Sequence, residues 1–204
     1  MAMEKCTETV NWDFFWKRVE KHPLFLRFLY FIHMKKYFKL LDPLKLEQIN
    51  ILELGAGTGS ISYELNKRYG GTATLVDNNP AALTLHHKLI KDKKNLQYLD
   101  TDFFKTELPR QYDLVFSDGL LEHFPDKGII IDLHKKFVKR GGWILFFALQ
   151  RNFFNSFLAL GEKKMGYSEP IAFKECITLF EKKGLKVCGT VSYFFEYGIL
   201  GKWV

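Results

Sequence analysis

The feature that most constrains the fold of this chain is an apolar segment that runs directly into a glycine-rich turn. Residues 49–52 are followed by Glu53 and, after one leucine, by the run Gly55-Ala56-Gly57-Thr58-Gly59. A helical pattern begins at the next residue, Ser60. Alternate glycines permit positive φ angles and leave room for a ligand against the main chain, and the new helix presents unpaired N–H groups. This strand-turn-helix unit predicts a cradle for a nucleotide or a carboxylate.

The spacing of the glycines separates this turn from the dinucleotide-binding fingerprint. That fingerprint, Gly-x-Gly-x-x-Gly, requires a third glycine where this chain has Ser60. A second apolar run, residues 73–76, ends in Asp77. A carboxylate at the tip of a second parallel strand can accept hydrogen bonds from both hydroxyls of a ribose, each worth roughly 1.5–3 kcal/mol. Asn79 directly precedes a proline and is the better N-cap for the following helix, which leaves Asp77 available to a ligand.

Five ordered stretches of residues 49–147 resemble the class I (Rossmann-like) S-adenosylmethionine-dependent methyltransferases, in their small-molecule branch. The glycine turn matches the first motif of that family, and Asp77 matches its ribose-binding acid. The other matches are 99–103, 112–124 with its "DLV…LEH" pattern, and the glycine turn within 138–145. The resemblance implies S-adenosyl-L-methionine as the cofactor and S-adenosyl-L-homocysteine as the product.

The resemblance also implies which residues form the cofactor site. Glu53 would lie near the methionine end of the cofactor, and Asp102, in preference to Asp100, near the adenine amino group. Phe103 would either stack on the adenine or pack in the core. The residues implied to contact the cofactor are Glu53, Gly55, Ala56, Gly57, Gly59, Asp77, Asn78, Asp102, Phe103 and Ser117.

His123 is the candidate catalytic residue. It follows the fourth predicted strand, near where the resemblance places the entry of substrate, and a histidine there can accept a proton at neutral pH, an effect of roughly 10²–10⁴-fold. Many members of the branch carry a histidine at this position without a demonstrated role as a base, so the catalytic role of His123 stays open. His86 and His87 lie on a helix that is predicted to be exposed. No histidine is spaced with an acid as a metal ligand would be, so no metal site is predicted.

The alternation of apolar runs and helical patterns from residue 49 predicts an α/β fold, a doubly wound, mostly parallel sheet with helices on both faces. Strands are expected near 49–54, 72–77, 96–99, 112–117, 142–148 and 185–194, and helices near 59–69, 80–91, 126–139 and 171–183. The family closes with an antiparallel hairpin of two strands. Its last strand is expected here to be short, near 197–204, or absent.

The chain is expected to be a single methyltransferase domain over residues 1–204, with the cofactor-binding core at 49–148. Two aromatic-rich helices over 7–41 are expected to form an N-terminal cap, and residues 149–170 a cap insertion above the substrate pocket. The second of the two helices is apolar nearly all round, which predicts that other parts of the protein cover it.

Composition bears on compartment and partners. Three widely separated cysteines and a start with no apolar leader predict a cytoplasmic protein. The net charge of +7 is spread over lysines that fall mostly at helix ends, which favours solvated helix faces over a nucleic-acid partner without excluding one. No apolar run approaches the ~20 residues that cross a bilayer. Contact of residues 23–40 with a membrane surface stays open.

These observations predict an enzyme that transfers a methyl group from S-adenosylmethionine to a small, apolar or aromatic acceptor by direct displacement. The sequence Ser117-Asp118-Gly119-Leu120 differs from the Asn/Asp-Pro-Pro-aromatic motif of the branch that methylates amino groups of nucleobases and glutamine. Acceptors through O, S, C or other N atoms stay open. The first alternative is an RNA or protein methyltransferase, with basic residues around the mouth of the pocket. The second is a sensor or partner subunit that binds the cofactor without turnover. Nothing in the sequence indicates the oligomeric state.

Overall fold

The structure, a computed structural model, describes Trp12, Trp16 and residues 23–150, 168–193 and 195–204, with the backbone alone for 23–29. Its strands are β1 (Ile49–Leu54), β2 (Gly71–Asp77), β3 (Leu96–Asp100), β4 (Tyr112–Asp118), β5 (Val138–Leu149), β6 (Leu185–Ser192) and β7 (Glu196–Trp203). Its helices are α1 (Pro23–Leu41), α2 (Ser60–Tyr69), α3 (Pro80–Leu89), α4 (Lys127–Phe137) and α5 (Phe173–Lys182), with short 3-10 turns at Asp42–Leu44 and Leu121–His123. Across these ranges, no helix has the combined length and apolar character that crossing a membrane requires.

The seven strands form one sheet in the order β3-β2-β1-β4-β5-β7-β6. Strands β1 to β5 are parallel, and β7 is antiparallel to both β5 and β6. The strand order reverses between β1 and β4, and in open α/β sheets a ligand binds beyond the carboxyl ends of the strands at such a reversal. The predicted doubly wound α/β fold is confirmed, and its reversal point lies next to the glycine turn.

Each face of the sheet is covered by its own apolar cluster. On one face, side chains of α1 and α2 such as Tyr37 and Leu65 pack with Ile51 of β1 and Phe116 of β4. On the other face, residues of α4 and α5 pack with the alternate side chains of the same strands; they include Leu52, Val115, Ile130, Phe137, Ile144 and Phe180. Successive strand residues point to opposite faces, so a strand buried on both sides must be apolar throughout.

Helix α1 is only partly covered, contrary to the expectation for an apolar helix. Met34, Tyr37 and Leu41 are buried against the sheet, but Phe31 is 59% exposed and Ile32 is 40% exposed. The helix therefore lies along one face of the sheet and leaves its other side on the surface. The first predicted cap helix and most of the predicted insertion at 149–170 lie outside the described residues, although Trp12 and Trp16 are helical.

The last strand is present within one residue of its expected position, although it is not short. Strand β7 runs over Glu196–Trp203 and pairs along its length with β5 on one side and β6 on the other. Its two glycines, Gly198 and Gly201, are required because Phe147 and Phe180 occupy the space of a side chain there. Strand β5 also begins earlier than expected, at Val138.

Candidate active site

The glycine turn connects β1 to α2 at the carboxyl edge of the sheet. The N–H groups of Gly55 and Ala56 donate to the carbonyl oxygen of Val76 in β2, at 2.9 and 3.1 Å, and this ties the start of the turn to the neighbouring strand. Gly59 is the N-cap residue of α2 and donates to the carbonyl oxygen of Ala56 at 2.8 Å. These bonds hold the turn open toward the point where the strand order reverses.

Two glycines of the turn are required for different reasons. Gly59 has φ +69°, and a side chain there would place its Cβ 1.9 Å from Cδ2 of Leu75 in β2. Gly57 has φ +53°, and its missing side chain leaves the space into which the indole of Trp16 fits, 2.5 Å from the position of a Cβ. Gly59 therefore brings the helix close to the sheet, whereas Gly57 leaves bare main chain beneath an aromatic side chain.

Replacing Gly59 with alanine is expected to lower the free energy of unfolding by about 2–4 kcal/mol, because the new methyl group collides with Leu75 in addition to straining the backbone. The matched control is Gly141→Ala. That residue has φ +76° but nothing within 4 Å of a Cβ, so only the backbone cost of about 1 kcal/mol applies. Urea unfolding of both variants gives the comparison. If the two variants lost the same free energy of unfolding, the contact of the new methyl group with Leu75 would be relieved without cost.

Asp77 ends β2 and faces the glycine turn. Its Oδ2 accepts from the N–H of Gly57 and its Oδ1 from the N–H of Asn79, both at 2.8 Å, and burial raises the pKa of its carboxyl group. Asn79 is the N-cap of α3, with its side chain accepting from Ala82 N. The prediction of that cap is confirmed. Backbone N–H groups orient the Asp77 carboxylate, and each oxygen keeps a lone pair, so the availability of Asp77 to a ligand stays a prediction.

Glu53 lies beneath the turn and is 2% exposed. Its Oε2 accepts from the N–H of Ser62 in the first turn of α2 at 3.3 Å. Burial raises the pKa of Glu53 to about 8, with the nearby carboxylates of Asp118 and Asp77 adding to the shift. A cation placed beside this carboxylate would remove the cost of ionising it, so the position fits an ammonium group.

The other predicted cofactor residues surround the same edge. Asn78 is exposed directly after β2, and Ala56 is buried within the turn. Asp102 accepts from the N–H of Phe104 through Oδ1 at 2.9 Å, and this bond fixes the loop after β3. Phe103 packs against the apolar cluster on the α4 face, 4.9 Å from the ring of Phe104.

Two buried polar side chains lie where β4 and β5 end. Ser117 is fully buried in β4, and among the described residues its Oγ has no hydrogen-bond partner. Glu122, which the sequence analysis did not select, is also buried; its Oε1 accepts from Leu149 N at 3.4 Å, and within the described chain its Oε2 is unpaired. Burial raises the pKa of Glu122 to about 7. Only its place before His123 in the matched "LEH" pattern could have identified it.

His123 ends the 3-10 turn that follows β4, and its side chain is partly buried. Its ring lies edge-on to the indole of Trp12, with the centroids 4.9 Å apart. His86 does not lie on an exposed surface as predicted. It is 2% exposed, its Nδ1 lies 2.8 Å from the carbonyl oxygen of Thr58, and burial lowers its pKa. Of the neighbouring pair it is His86 that faces the sheet, where it supports the glycine turn from below.

A polar cluster that the sequence did not predict joins α1 to β4 and β7. The two ring nitrogens of His33 each face a carboxylate: Nε2 contacts Asp118, and Nδ1 lies 3.0 Å from Oε1 of Glu196. Lys36 donates to the same oxygen of Glu196, and Tyr37 donates to Asp118 at 2.9 Å. Nearby, Tyr30 of α1 donates to the carbonyl oxygen of Ser60 at 2.6 Å. Helix α1 is thereby fastened across the edge that holds the candidate site.

Replacing Glu196 with glutamine is expected to lower the free energy of unfolding by about 1–3 kcal/mol, because Lys36 loses its carboxylate partner in a partly buried site and His33 keeps only Asp118. Urea unfolding at low ionic strength measures the change. Glu107→Gln removes the same charge from an exposed loop and is the control. A loss below about 0.5 kcal/mol, the scale of an exposed pair, would mean that water screens the cluster.

The edge as a whole is rich in carboxylates. Four acidic residues converge at the ends of three neighbouring strands. Glu53 and Glu122 are buried, and Asp77 and Asp118 are partly buried. Among the described residues, no group of three or more histidine, cysteine or acidic side chains is arranged to hold a metal ion. The arrangement suits an organic cation bound against bare main chain, with a ribose-sized group near Asp77.

Comparisons with known proteins agree with this geometry. Residues 51–142 match a family model described as "Methyltransferase domain". A ubiquinone biosynthesis O-methyltransferase of Hydrogenovibrio crunogenus is 35% identical over 118 residues, which cover 56% of this chain and 48% of that protein. A malonyl-[acyl-carrier protein] O-methyltransferase of Ilyobacter polytropus is 32% identical over 107 residues, covering 49% of this chain and 39% of the relative. The chain thus spans about half the length of the curated relatives it matches, or less.

Solved structures show the same fold. The geranyl diphosphate C-methyltransferase of Streptomyces coelicolor, crystallised with S-adenosyl-L-homocysteine, superposes with a TM-score of 0.71 at 12% identity, covering 88% of this chain and 81% of that one. The identity is low, so this likeness concerns the fold. The family match includes the glycine turn, Asp77 and the "LEH" pattern. Residues 51–142 are thus similar in sequence to methyltransferase domains, and the chain has the class I, Rossmann-like fold of solved S-adenosylmethionine-dependent methyltransferases.

Proposed function

We propose that this protein transfers a methyl group from S-adenosylmethionine to a hydroxyl group of a small, apolar or aromatic molecule. The observation that carries the proposal is the glycine turn at the reversal point of the sheet, with the carboxylates of Asp77 and Glu53 on either side of it. When bound, the cofactor supplies an electrophilic methyl group on a sulfonium, which a nucleophile displaces in line.

The residues of the turn fit that cofactor. Asp77 would accept from the ribose hydroxyls, since two backbone N–H groups already hold its carboxylate toward the turn. Asp102 and Asn78 would contribute on the adenosine side. Glu53 would pair with the cofactor's ammonium group; because burial raises its pKa to about 8, it holds a proton at neutral pH and would release it on binding.

Aromatic residues support an apolar acceptor. Trp16 lies on Gly57, and Trp12 lies on His123, so both indoles are beside the site. Such a lining excludes water, and alignment of the reactants in a dry site is the main source of acceleration in a direct displacement. The relatives' printed names, both O-methyltransferases, favour oxygen as the acceptor atom.

Glu122 is better suited than His123 to accept the proton of the hydroxyl group. Burial brings its pKa to about 7, near the optimum for a general base at neutral pH, and its Oε2 is unpaired among the described residues. It lies beside Gly119 and Leu149, at the ends of the two strands that border the acceptor side. His123, packed edge-on against Trp12, would then shape the pocket.

We propose in addition that the protein is cytoplasmic and that its acceptor is a small molecule. The two described cysteines, Cys176 and Cys188, are free thiols, which suits the reducing cytoplasm. A macromolecular acceptor would require basic residues around the mouth, and in the described part of the chain the largest concentration of lysine and arginine lies at the opposite edge of the sheet. A small molecule is therefore favoured.

The test is a transfer assay with methyl-labelled S-adenosylmethionine and a panel of acceptors: catechols, phenols, apolar carboxylic acids, amines and thiols, with total RNA and protein as macromolecular arms. Mass spectrometry of the product identifies the methylated atom. Label on a phenolic or carboxylic oxygen supports the proposal, and label in RNA or protein replaces it with the macromolecular alternative. Cofactor binding without any transfer would favour the sensor alternative. With an active acceptor, Glu122→Gln should lower kcat more than His123→Gln does.

A further inference from the structure

Nine lysine and arginine side chains gather at the amino-terminal end of the sheet, beneath β4, β5, β6 and β7. This set is called the basic edge and comprises Arg110, Lys135, Lys136, Lys139, Arg140, Lys182, Lys183, Lys186 and Lys202. The register of the strands places them together, because Tyr112 pairs with Val138, and Leu185 and Lys186 pair with Trp203 and Lys202. The ends of α4 and α5 supply the rest.

Contacts show that the basic edge is continuous. The guanidinium carbons of Arg110 and Arg140 lie 4.6 and 5.2 Å from the centroid of the Trp203 ring, and Nζ of Lys135 lies 5.8 Å from it. Arg110 also donates to the carbonyl oxygen of Lys136 at 3.2 Å. Three cations around one indole repel one another, and each cation–π contact offsets that repulsion by only about 0.5–1 kcal/mol at an exposed site.

The charge at this edge is scarcely neutralised. Over 110–113, 132–140, 181–186 and 202–203 the acids are Asp113, Asp132 and Glu181, against nine cations. Asp113 pairs with Lys139, and Asp132 pairs with Lys183. The surplus of six positive charges is nearly the whole net charge of +7. Lys186 and Lys202 even face each other across neighbouring strands, a like-charge pairing that destabilises a sheet.

The basic edge lies far from the candidate active site. Strand β5 begins beside the basic edge and ends at Leu149, where Glu122 contacts it. The strand pairs regularly from Trp143, opposite Leu114, onward, and the six steps from Trp143 to Leu149 span roughly 20 Å at ~3.3 Å per residue. A small substrate at the candidate active site therefore does not reach the basic edge, so binding of such a substrate does not explain the surplus charge.

We propose that the basic edge binds the phosphate backbone of single-stranded nucleic acid. The charges follow both faces of the sheet: Trp203 packs on the α4 face with Arg110 and Arg140, whereas Lys202 lies over Trp143 on the other face, 4.9 Å from its centroid. A flexible strand can follow such a rim and stack bases on partly exposed indoles, as single-strand binders do. A flat bilayer would meet one face only.

The position of exposed apolar groups also separates nucleic acid from a membrane. Surface binding to a bilayer combines basic residues with apolar side chains that enter it. Of the large apolar side chains that are exposed in the described chain, Phe31, Ile32, Leu89, Tyr193 and Phe195 lie away from the basic edge, and only Val204 adjoins it. The charge is therefore not accompanied by an insertion surface.

The test measures fluorescence anisotropy of a labelled oligouridylate of roughly 20 nucleotides with the full chain, from about 50 to 300 mM salt. The edge variant is Lys136→Gln/Arg140→Gln/Lys186→Gln, three exposed cations of the basic edge. The matched control is Lys39→Gln/Lys67→Gln/Lys174→Gln, which removes the same charge from exposed positions elsewhere. Thermal unfolding of both variants verifies folding. No cofactor is added, so the result does not depend on the proposed methyl transfer.

The wild type is expected to bind with an affinity that falls steeply with salt, by about 0.7 in the log–log slope for each phosphate neutralised. The edge variant should bind about tenfold or more weakly at low salt, and the slope of its log affinity against log salt should be smaller in magnitude by about 2. The affinity of the control should stay within about threefold of that of the wild type. If the two variants lost the same affinity for the oligonucleotide, net charge alone would explain the binding, and the proposal would be overturned. Absence of binding to the oligonucleotide, with or without binding to phosphatidylglycerol vesicles, would also overturn it.

Discussion

Asp77→Ala is expected to weaken S-adenosylmethionine binding by about 10²–10⁴-fold. The reason is that two charge-assisted hydrogen bonds to the ribose, each worth roughly 1.5–3 kcal/mol, would be lost together. Isothermal titration calorimetry of the wild type and the variant measures the change directly. Asp92→Ala, which removes an exposed carboxylate from the loop after α3, is the control and should bind as the wild type does.

A second variant separates the two tasks of the Asp77 carboxylate. Asp77→Asn keeps one oxygen that can accept from the N–H of Gly57 but lacks the charge and the second acceptor, so an intermediate loss of about 10–100-fold is expected. If asparagine restored full affinity, Asp77 would act by holding the glycine turn and not by binding the ribose. If the Asp77→Ala variant bound the cofactor as tightly as the wild type, the assignment of the ribose to the end of β2 would be wrong.

The contribution of Glu53 to the free energy of unfolding is expected to fall by roughly 3–5 kcal/mol as the pH rises from about 4.5 to about 8.5. In the unfolded chain its carboxyl group ionises near its ordinary value of 4.5, whereas burial raises the pKa in the folded protein to about 8. Between these values the folded protein holds a proton that the unfolded chain has released. Stability from this group is therefore complete below the lower pKa and lost as the pH passes the upper one.

Glu53→Gln tests this assignment. The amide cannot ionise, so urea unfolding of the variant between about pH 5 and pH 8.5 should show a much shallower dependence and greater stability than the wild type at the alkaline end. Glu47→Gln, an exposed glutamate just before β1, should keep the wild-type dependence. Glu122, with a pKa of about 7, contributes a smaller slope of the same sign. An unchanged slope in Glu53→Gln would mean that the buried carboxylate is ionised in the folded protein at neutral pH.

The features that the sequence predicted correctly depend on residues that are close together in the chain. The glycine turn, the end of β2 at Asp77 and the cap at Asn79 each depend on residues within a few positions of one another, and only small or capping residues satisfy those backbone conformations. The parallel strands were predictable for a similar reason, because a strand buried on both faces is a continuous apolar run.

What the sequence did not predict depends on distant pairs. Glu196 lies 163 positions from His33, and nothing near either residue indicates that the other faces it. His86 was assigned to an exposed surface because two adjacent histidines do not show which of them faces the sheet. The length of the chain after Gly184 does not show that both β6 and β7 fit into it, whereas the structure shows why Gly198 and Gly201 are needed there: they accommodate the rings of Phe147 and Phe180.

The position of β7 has a consequence for how the protein is made. The strand follows β6 in the chain but lies between β5 and β6 in the sheet. During synthesis on the ribosome, β6 therefore has no neighbour to pair with until residues 196–203 have emerged and inserted beside β5. Glu196, the first residue of that strand, is also the partner of His33 and Lys36. The contacts of helix α1 with Glu196 therefore form only once β7 is in place, later in synthesis than the contacts of the same helix with Asp118 can form.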